Sequence, residues 1–232
     1  MREIVLDTET TGLDRASGNR IVEIGCVELI NHVPSGAVYH QYINPERDMP
    51  AEAERVHGLS ADFLKDHPVF ADIADAFMTF VGDAPLVIHN AAFDMGFINA
   101  ELGLIGRPLI DKSRAIDTVT MARRKFPGAQ ASLDALCRRF GIDLSERQLH
   151  GALLDAQLLA SVYLELLGGR QHGMNLAAEA AAGSKGSDTP GEDTGLNPSG
   201  RREPRAHAAT PDEQARHAAF LEKIKDPIWL RG

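Results

Sequence analysis

Apolar and polar positions follow two rhythms along residues 1–170, and together they predict an α/β domain. Arg2–Glu9, Arg20–Ile30 and Gly36–Ile43 are rich in β-branched residues and joined by short Gly-, Asn- and Pro-containing links. They predict three strands in an antiparallel meander. Residues 51–67 predict short helical pieces with Ser60 as an N-cap. Phe70, Ile73, Ala74, Phe77 and Val81 recur at helical spacing and predict a helix over 70–81. The compact apolar run at Pro85–Asn90 predicts a parallel strand, followed by a helix through Phe93–Leu102. A strand-like Ala115–Thr118 leads into a helical Val119–Phe126. Ser132 and Gly141 bracket a further helix as N-cap and terminator. Ala152–Gly169 predicts a long apolar helix stopped by paired glycines. The expected result is a mixed sheet with helices on its faces.

The rhythm fails after Gly169. Apolar residues nearly vanish from Gly183 to Ala209, where Gly, Ser, Pro, Asp and Arg dominate, a composition too poor in apolar surface to order itself. The expected layout is a domain at 1–170, a disordered linker at 178–209 and an ordered segment at 210–232. In the last, Thr210, Pro211 and Glu213 spell an N-cap, an N1 proline and a capping box. Pro227 is expected to end that helix a residue or so earlier.

Charge and cysteine content narrow the class. The formal net charge of −9 over 232 residues argues against a protein that coats nucleic acid by charge alone. It leaves room for an enzyme that grips a few nucleotides and recruits metal ions. Cys26 and Cys137 sit in different segments without a CxxC, against a disulfide framework or cysteine zinc site. Charged residues follow Met1 at once, and no stretch approaches the ~20 apolar residues of a membrane span. The expectation is a cytoplasmic protein.

The candidate chemistry begins at "EIVLDTETTG". Asp7 and Glu9 are two apart, so a strand projects them from one face. At the carboxyl end of a sheet strand that is a ligand-facing position. Two close carboxylates require a proton or a cation between them; alone, the pair also fits a solvated strand end. Asp94, in "HNAAFD", stands near a helix start, where a carboxylate can simply complement the dipole. Asp155 interrupts an otherwise apolar helix and needs a partner. His150 is five residues before it, about 140° away on a straight helix, which places His150 instead on the loop leading into that helix. Four acids at such positions suit two hard divalent ions, Mg²⁺ or Mn²⁺. Two ions ~4 Å apart can activate water and stabilise the leaving oxygen of a phosphoryl displacement, with His150 as general base.

"DTETTG", "HNAAFD" and "HGALLDA", in that order, resemble the DEDDh exonucleases of the ribonuclease H-like fold. Within them, "ERVHGLS" and "HGALLDAQLLASVYLELLGGR" are most similar to the proofreading epsilon subunits of bacterial DNA polymerase III. The resemblance implies 3′→5′ removal of nucleoside monophosphates from a single-stranded or frayed DNA 3′ end. It implies metal ligation by Asp7, Glu9, Asp94 and Asp155, with His150 as base. It also places Thr10, Thr11 and His57 around the terminal nucleotide. Phe93 can stack on a base or belong to the core. Arg123, Arg124 and Lys125, or Arg138 and Arg139, can touch phosphates or simply face solvent. Gln171, Met174 and Leu176 resemble a sliding-clamp peptide over 171–177. Phe220, Leu221, Ile224 and Trp229 resemble anchors for the polymerase alpha subunit, against the alternative of docking on the exonuclease domain itself. Two other readings stay open: a stand-alone DEDDh exonuclease for RNA or short oligonucleotides, and a non-catalytic binding module of the same fold.

Overall fold

The computed structural model describes residues 1–145, 147, 149–168 and 210–223. Five strands, β1 (Arg2–Thr10), β2 (Ile21–Ile30), β3 (Val33–Tyr42), β4 (Leu86–Ile88) and β5 (Ala115–Asp117), form one sheet in the order β3-β2-β1-β4-β5. β1–β2 and β2–β3 pair antiparallel; β4 lies parallel to β1 and β5 parallel to β4. The expected meander and parallel extension are both present. The third strand starts three residues earlier than its apolar pattern suggests, because most of β3 faces solvent and carries little pattern to read.

Among the described residues, seven α-helices accompany the sheet: α1 (Ala51–His57), α2 (Ala61–Leu64), α3 (Phe70–Val81), α4 (Ala91–Leu104), α5 (Thr118–Lys125), α6 (Leu133–Phe140) and α7 (Ala152–Leu167). Their ends follow local chemistry. Ser60 accepts from Phe63 N, and Ser132 from Ala135 N. Asp117, the last residue of β5, caps α5 through Val119 N.

The strand β1 separates two cores. Ile4 and Leu6 join Phe70, Phe77, Met95 and Phe97 on the α3–α4 side. Val5 joins Leu136, Leu159 and Val162 on the α6–α7 side. Burying Ile4, Val5 and Leu6 contributes roughly 5–9 kcal/mol, enough to hold a strand whose next residues are acidic.

The terminal segment forms a separate unit containing α8 (Pro211–Leu221). Its capping box is present: Thr210 and Glu213 satisfy each other's backbone N–H groups. The helix stops at Leu221, short of the end expected from Pro227, because the final turn tightens and Lys223 N bonds to Phe220 O. Ile224 and Trp229 lie outside the described residues, as do the linker at 178–209 and Gln171, Met174 and Leu176.

Candidate active site

Alternation along β1 sets the site. Odd-numbered Asp7 and Glu9 continue the face of Val5 toward α7, whereas Thr8 turns toward α4. Asp94, in the first turn of α4, accepts from the Thr8 hydroxyl at 2.7 Å and from Thr8 N at 3.1 Å. Its carboxylate is thereby drawn to the same strand end, and it is 3 % exposed. The short β4 sets the start of α4, with Asn90 in the left-handed region at φ 67° just before it.

The approach of α7 depends on a glycine. Gly25 on β2 pairs with Asp7 across the ladder. A Cβ there would lie 2.2 Å from Leu153 N and 2.3 Å from the Ala152 carbonyl carbon. The first turn of α7 therefore rests directly on β2, bringing Asp155 beside β1. His150 lies in the loop just ahead of Gly151, as its spacing from Asp155 predicts. Its N–H donates to Val56 O at the end of α1. Leu149 packs so close to Gly58 that a side chain there would collide with it at 2.7 Å.

One ligand atom each from Glu9, His150 and Asp155 lies within 4.8 Å of the others. Asp7 shares the field of Asp94, Glu9, Asp155 and Glu23. Burial, then repulsion from these acids, holds Asp7 well above the usual carboxylate range. Burial raises Glu9 to about 8, with partial relief from His150. Burial raises Asp94 to about 7 against the opposing Thr8 hydrogen bonds. Asp155 is different. Burial would raise it, but hydrogen bonds from Arg147 and His150 outweigh that and lower it. The hydrogen bond to Asp155 raises His150 despite desolvation. Oxygen donors that are costly to ionise without a cation suit hard divalent ions, so the residues present fit such a group; a divalent metal belongs here.

Two cavities meet this strand end. One, of about 800 Å³, is lined by Asp7, Arg123, Ser132, Arg147, His150 and Asp155. The other, of about 530 Å³, is lined by Glu9, Thr10, Thr11, Val56, His57 and Phe93. The Thr10 hydroxyl donates to Gly12 O, and that of Thr11 to Asn19 Oδ1. Both threonines therefore shape the wall by holding its loop. His57 Nδ1 accepts from Leu59 N, which puts the ring proton on Nε2. Phe93 belongs to both settings, packing tilted against Phe97 with ring centroids 4.9 Å apart while lining the second cavity. Of the basic clusters, Lys125 caps α7 through the Glu165 and Leu166 carbonyls. Arg139 covers the Phe126 ring and Arg138 pairs with Asp134. Arg123 faces the larger cavity.

Three residues carry more than their sequence signals. Gly25 looks like an ordinary strand glycine. Glu23, opposite Glu9 and paired with His40 at 2.7 Å, adds a fifth carboxylate. Arg147 forks onto Asp155 from the loop; the only hint is a lone arginine three residues before His150.

A family model described as an exonuclease, RNase_T, matches residues 4–163. A DNA polymerase III subunit epsilon of Rickettsia conorii is 56% identical over 184 residues, 78% of this chain and 80% of the relative. The subunit of the same name from Escherichia coli K12 is 49% identical over 176 residues, 73% of this chain and 72% of the relative. The nuclease domain of 3′hExo, a DEDDh family member bound to rAMP, superposes with a TM-score of 0.62 at 18% identity, covering 72% of this chain and 91% of that one.

Proposed function

The chain belongs to the exonuclease family of the DNA polymerase III epsilon subunits and is a 3′→5′ proofreading exonuclease; from that premise we propose how its residues divide the work. Asp7, Glu9, Asp94 and Asp155 hold two divalent ions, Mg²⁺ or Mn²⁺. When bound, these supply Lewis acidity at the scissile phosphate and lower the pKa of the attacking water. The observation that carries this reading is the convergence of the four acids and His150 at the end of β1.

His150 takes the proton of the attacking water. Its place on a loop, rather than inside α7, leaves the ring half-exposed and able to face that water. Thr8 fixes Asp94, and Gly25 fixes the depth of α7. The cleft beside Thr10, Thr11 and His57 receives the terminal nucleotide, with Val56 and Phe93 supplying apolar surface. The cleft takes an unpaired end, and fraying a mismatched terminus costs less than fraying a matched one. Selectivity for errors then originates in the DNA. The product is a nucleoside 5′-monophosphate.

The protein associates with DNA polymerase III. We assign the contact with the alpha subunit to residues 210–232, through Phe220, Leu221, Ile224 and Trp229, and a sliding-clamp contact to Gln171, Met174 and Leu176. Exposed Phe220 on a self-capped helix supports the first; the QxxΦxΦ spacing supports the second. Among the described residues no helix is long and apolar enough to cross a membrane, and we place the protein in the cytoplasm, at the nucleoid.

A time course on 3′-mismatched and matched primers, in DNA and RNA forms, with and without chelator, tests the reading. Chelator-sensitive release of mononucleotides, faster from the mismatched DNA end, is expected; equal rates in chelator would overturn it. Removal of residues 208–232 should abolish co-purification with the polymerase and spare hydrolysis of single-stranded DNA.

A further inference from the structure

A guanidinium stands inside the acidic cluster. Arg147 Nε donates to Asp155 Oδ1 and Nη2 to Oδ2, both at 2.6 Å, so both carboxylate oxygens are held in one fork. Nη1 donates to Asp134 Oδ1. Nη2 also lies 2.8 Å from His150 Nδ1. The Arg147 side chain is only 8 % exposed. It is built into the site, unlike a surface arginine that touches an acid in passing.

A carboxylate forked at both oxygens is already neutralised, and a cation approaching its remaining lone pairs meets the guanidinium charge beside it, so the two compete for Asp155. His150 Nδ1 lies 3.2 Å from Asp155 Oδ2, so the imidazole shares the carboxylate that Arg147 holds.

We propose that Arg147 is a positioning residue that latches the ion-free site, standing in for positive charge at Asp155 and yielding to divalent ions when they bind. The idea rests on the two-metal reading above. It gives the active site an order of events: the guanidinium gives way at Asp155 as the cation is captured. Arg147 also lines the larger cavity with Arg123, so the released guanidinium stays within the same basin.

The test uses the full chain, without DNA in the Mn²⁺ measurements and with a single-stranded oligonucleotide in a separate KM measurement. Mn²⁺ binding is measured by calorimetry for wild type, Arg147→Gln and Arg147→Lys, with thermal melting in EDTA and in Mn²⁺. Arg147→Gln should bind Mn²⁺ roughly tenfold tighter or more, since it no longer competes for Asp155. It should melt lower in EDTA and gain more from Mn²⁺ than wild type does. Arg147→Lys keeps the charge but lacks the fork and should fall between them. Equal Mn²⁺ affinity in all three proteins would overturn the latch. So would a weaker KM for oligonucleotide with unchanged Mn²⁺ affinity, which would make Arg147 a phosphate contact. No Mn²⁺ binding by any of the three would instead sink the metal reading itself.

Discussion

Glu3 and Asp7 stand on the same face of β1, four residues apart, both turned toward α7, yet the molecule treats them in opposite ways. Glu3 is fully buried and accepts the Tyr163 hydroxyl at 2.8 Å, while His32 Nδ1 lies 2.7 Å from its other oxygen. Glu101, buried on α4, is held likewise by both arms of Arg20 at 2.7 Å. At the opposite end of β1, Asp7 and Glu9 face other acids. A buried carboxylate paired with groups on other elements ties those elements together. A buried carboxylate surrounded by its own kind is kept at a stability cost for what it can bind. The same strand supplies both cases.

Asp7→Asn should break this contrast most visibly. It removes a charge from the crowded end, so hydrolysis of single-stranded DNA should fall roughly 10³-fold, while melting in EDTA should stay level or rise; a drop in both would mean Asp7 is structural like Glu3. His150→Ala should slow single-turnover cleavage about 10²-fold or more. It should also flatten the alkaline rise of the wild-type profile, because the imidazole, raised by its hydrogen bond to Asp155, is a base only above that raised value. Gly25→Ala should lift α7 from β2 and move Asp155 and His150 together, with about 10²-fold lost in rate from misplacement and ~1–3 kcal/mol in denaturant melts from overpacking. Tyr163→Phe belongs to the quiet end: about 1–3 kcal/mol of stability lost and a cleavage rate unchanged. The pH response of the ion-free protein tests the same contrast without a mutation. Folding raises Glu9 from 4.5 to about 8 and Asp94 from 3.8 to about 7. The folded state therefore binds more protons between those values, and stability should fall as pH climbs from about 4 to 8. Saturating Mg²⁺ should remove most of that slope.

The parts of this arrangement differ in how openly the sequence declares them. The α3 spacing, the Ser60 and Ser132 caps and the Thr210 capping box are local, and each is legible within a few residues. The acids of β1 and the loop position of His150 were legible too, because strand alternation and helical angle constrain them. Thr8 as the tether of Asp94, Gly25 as the seat of α7 and Arg147 as the partner of Asp155 were not. Each depends on two segments meeting in space: Thr8 lies 86 residues from Asp94. The buried Asp155 announced that a partner was needed without saying which. The end of α8 was misjudged because proline fixes where a helix must have stopped, and a tightened last turn can stop it sooner.

The bond from His150 N to the Val56 carbonyl gives the two working parts a shared wall. The helix that borders the smaller cavity through Val56 and His57 also anchors the loop carrying the imidazole. On the proposed reading, a sideways shift of that helix carries the ring with it, so the seating of a strand terminus and the aim of the base are adjusted by a single lever.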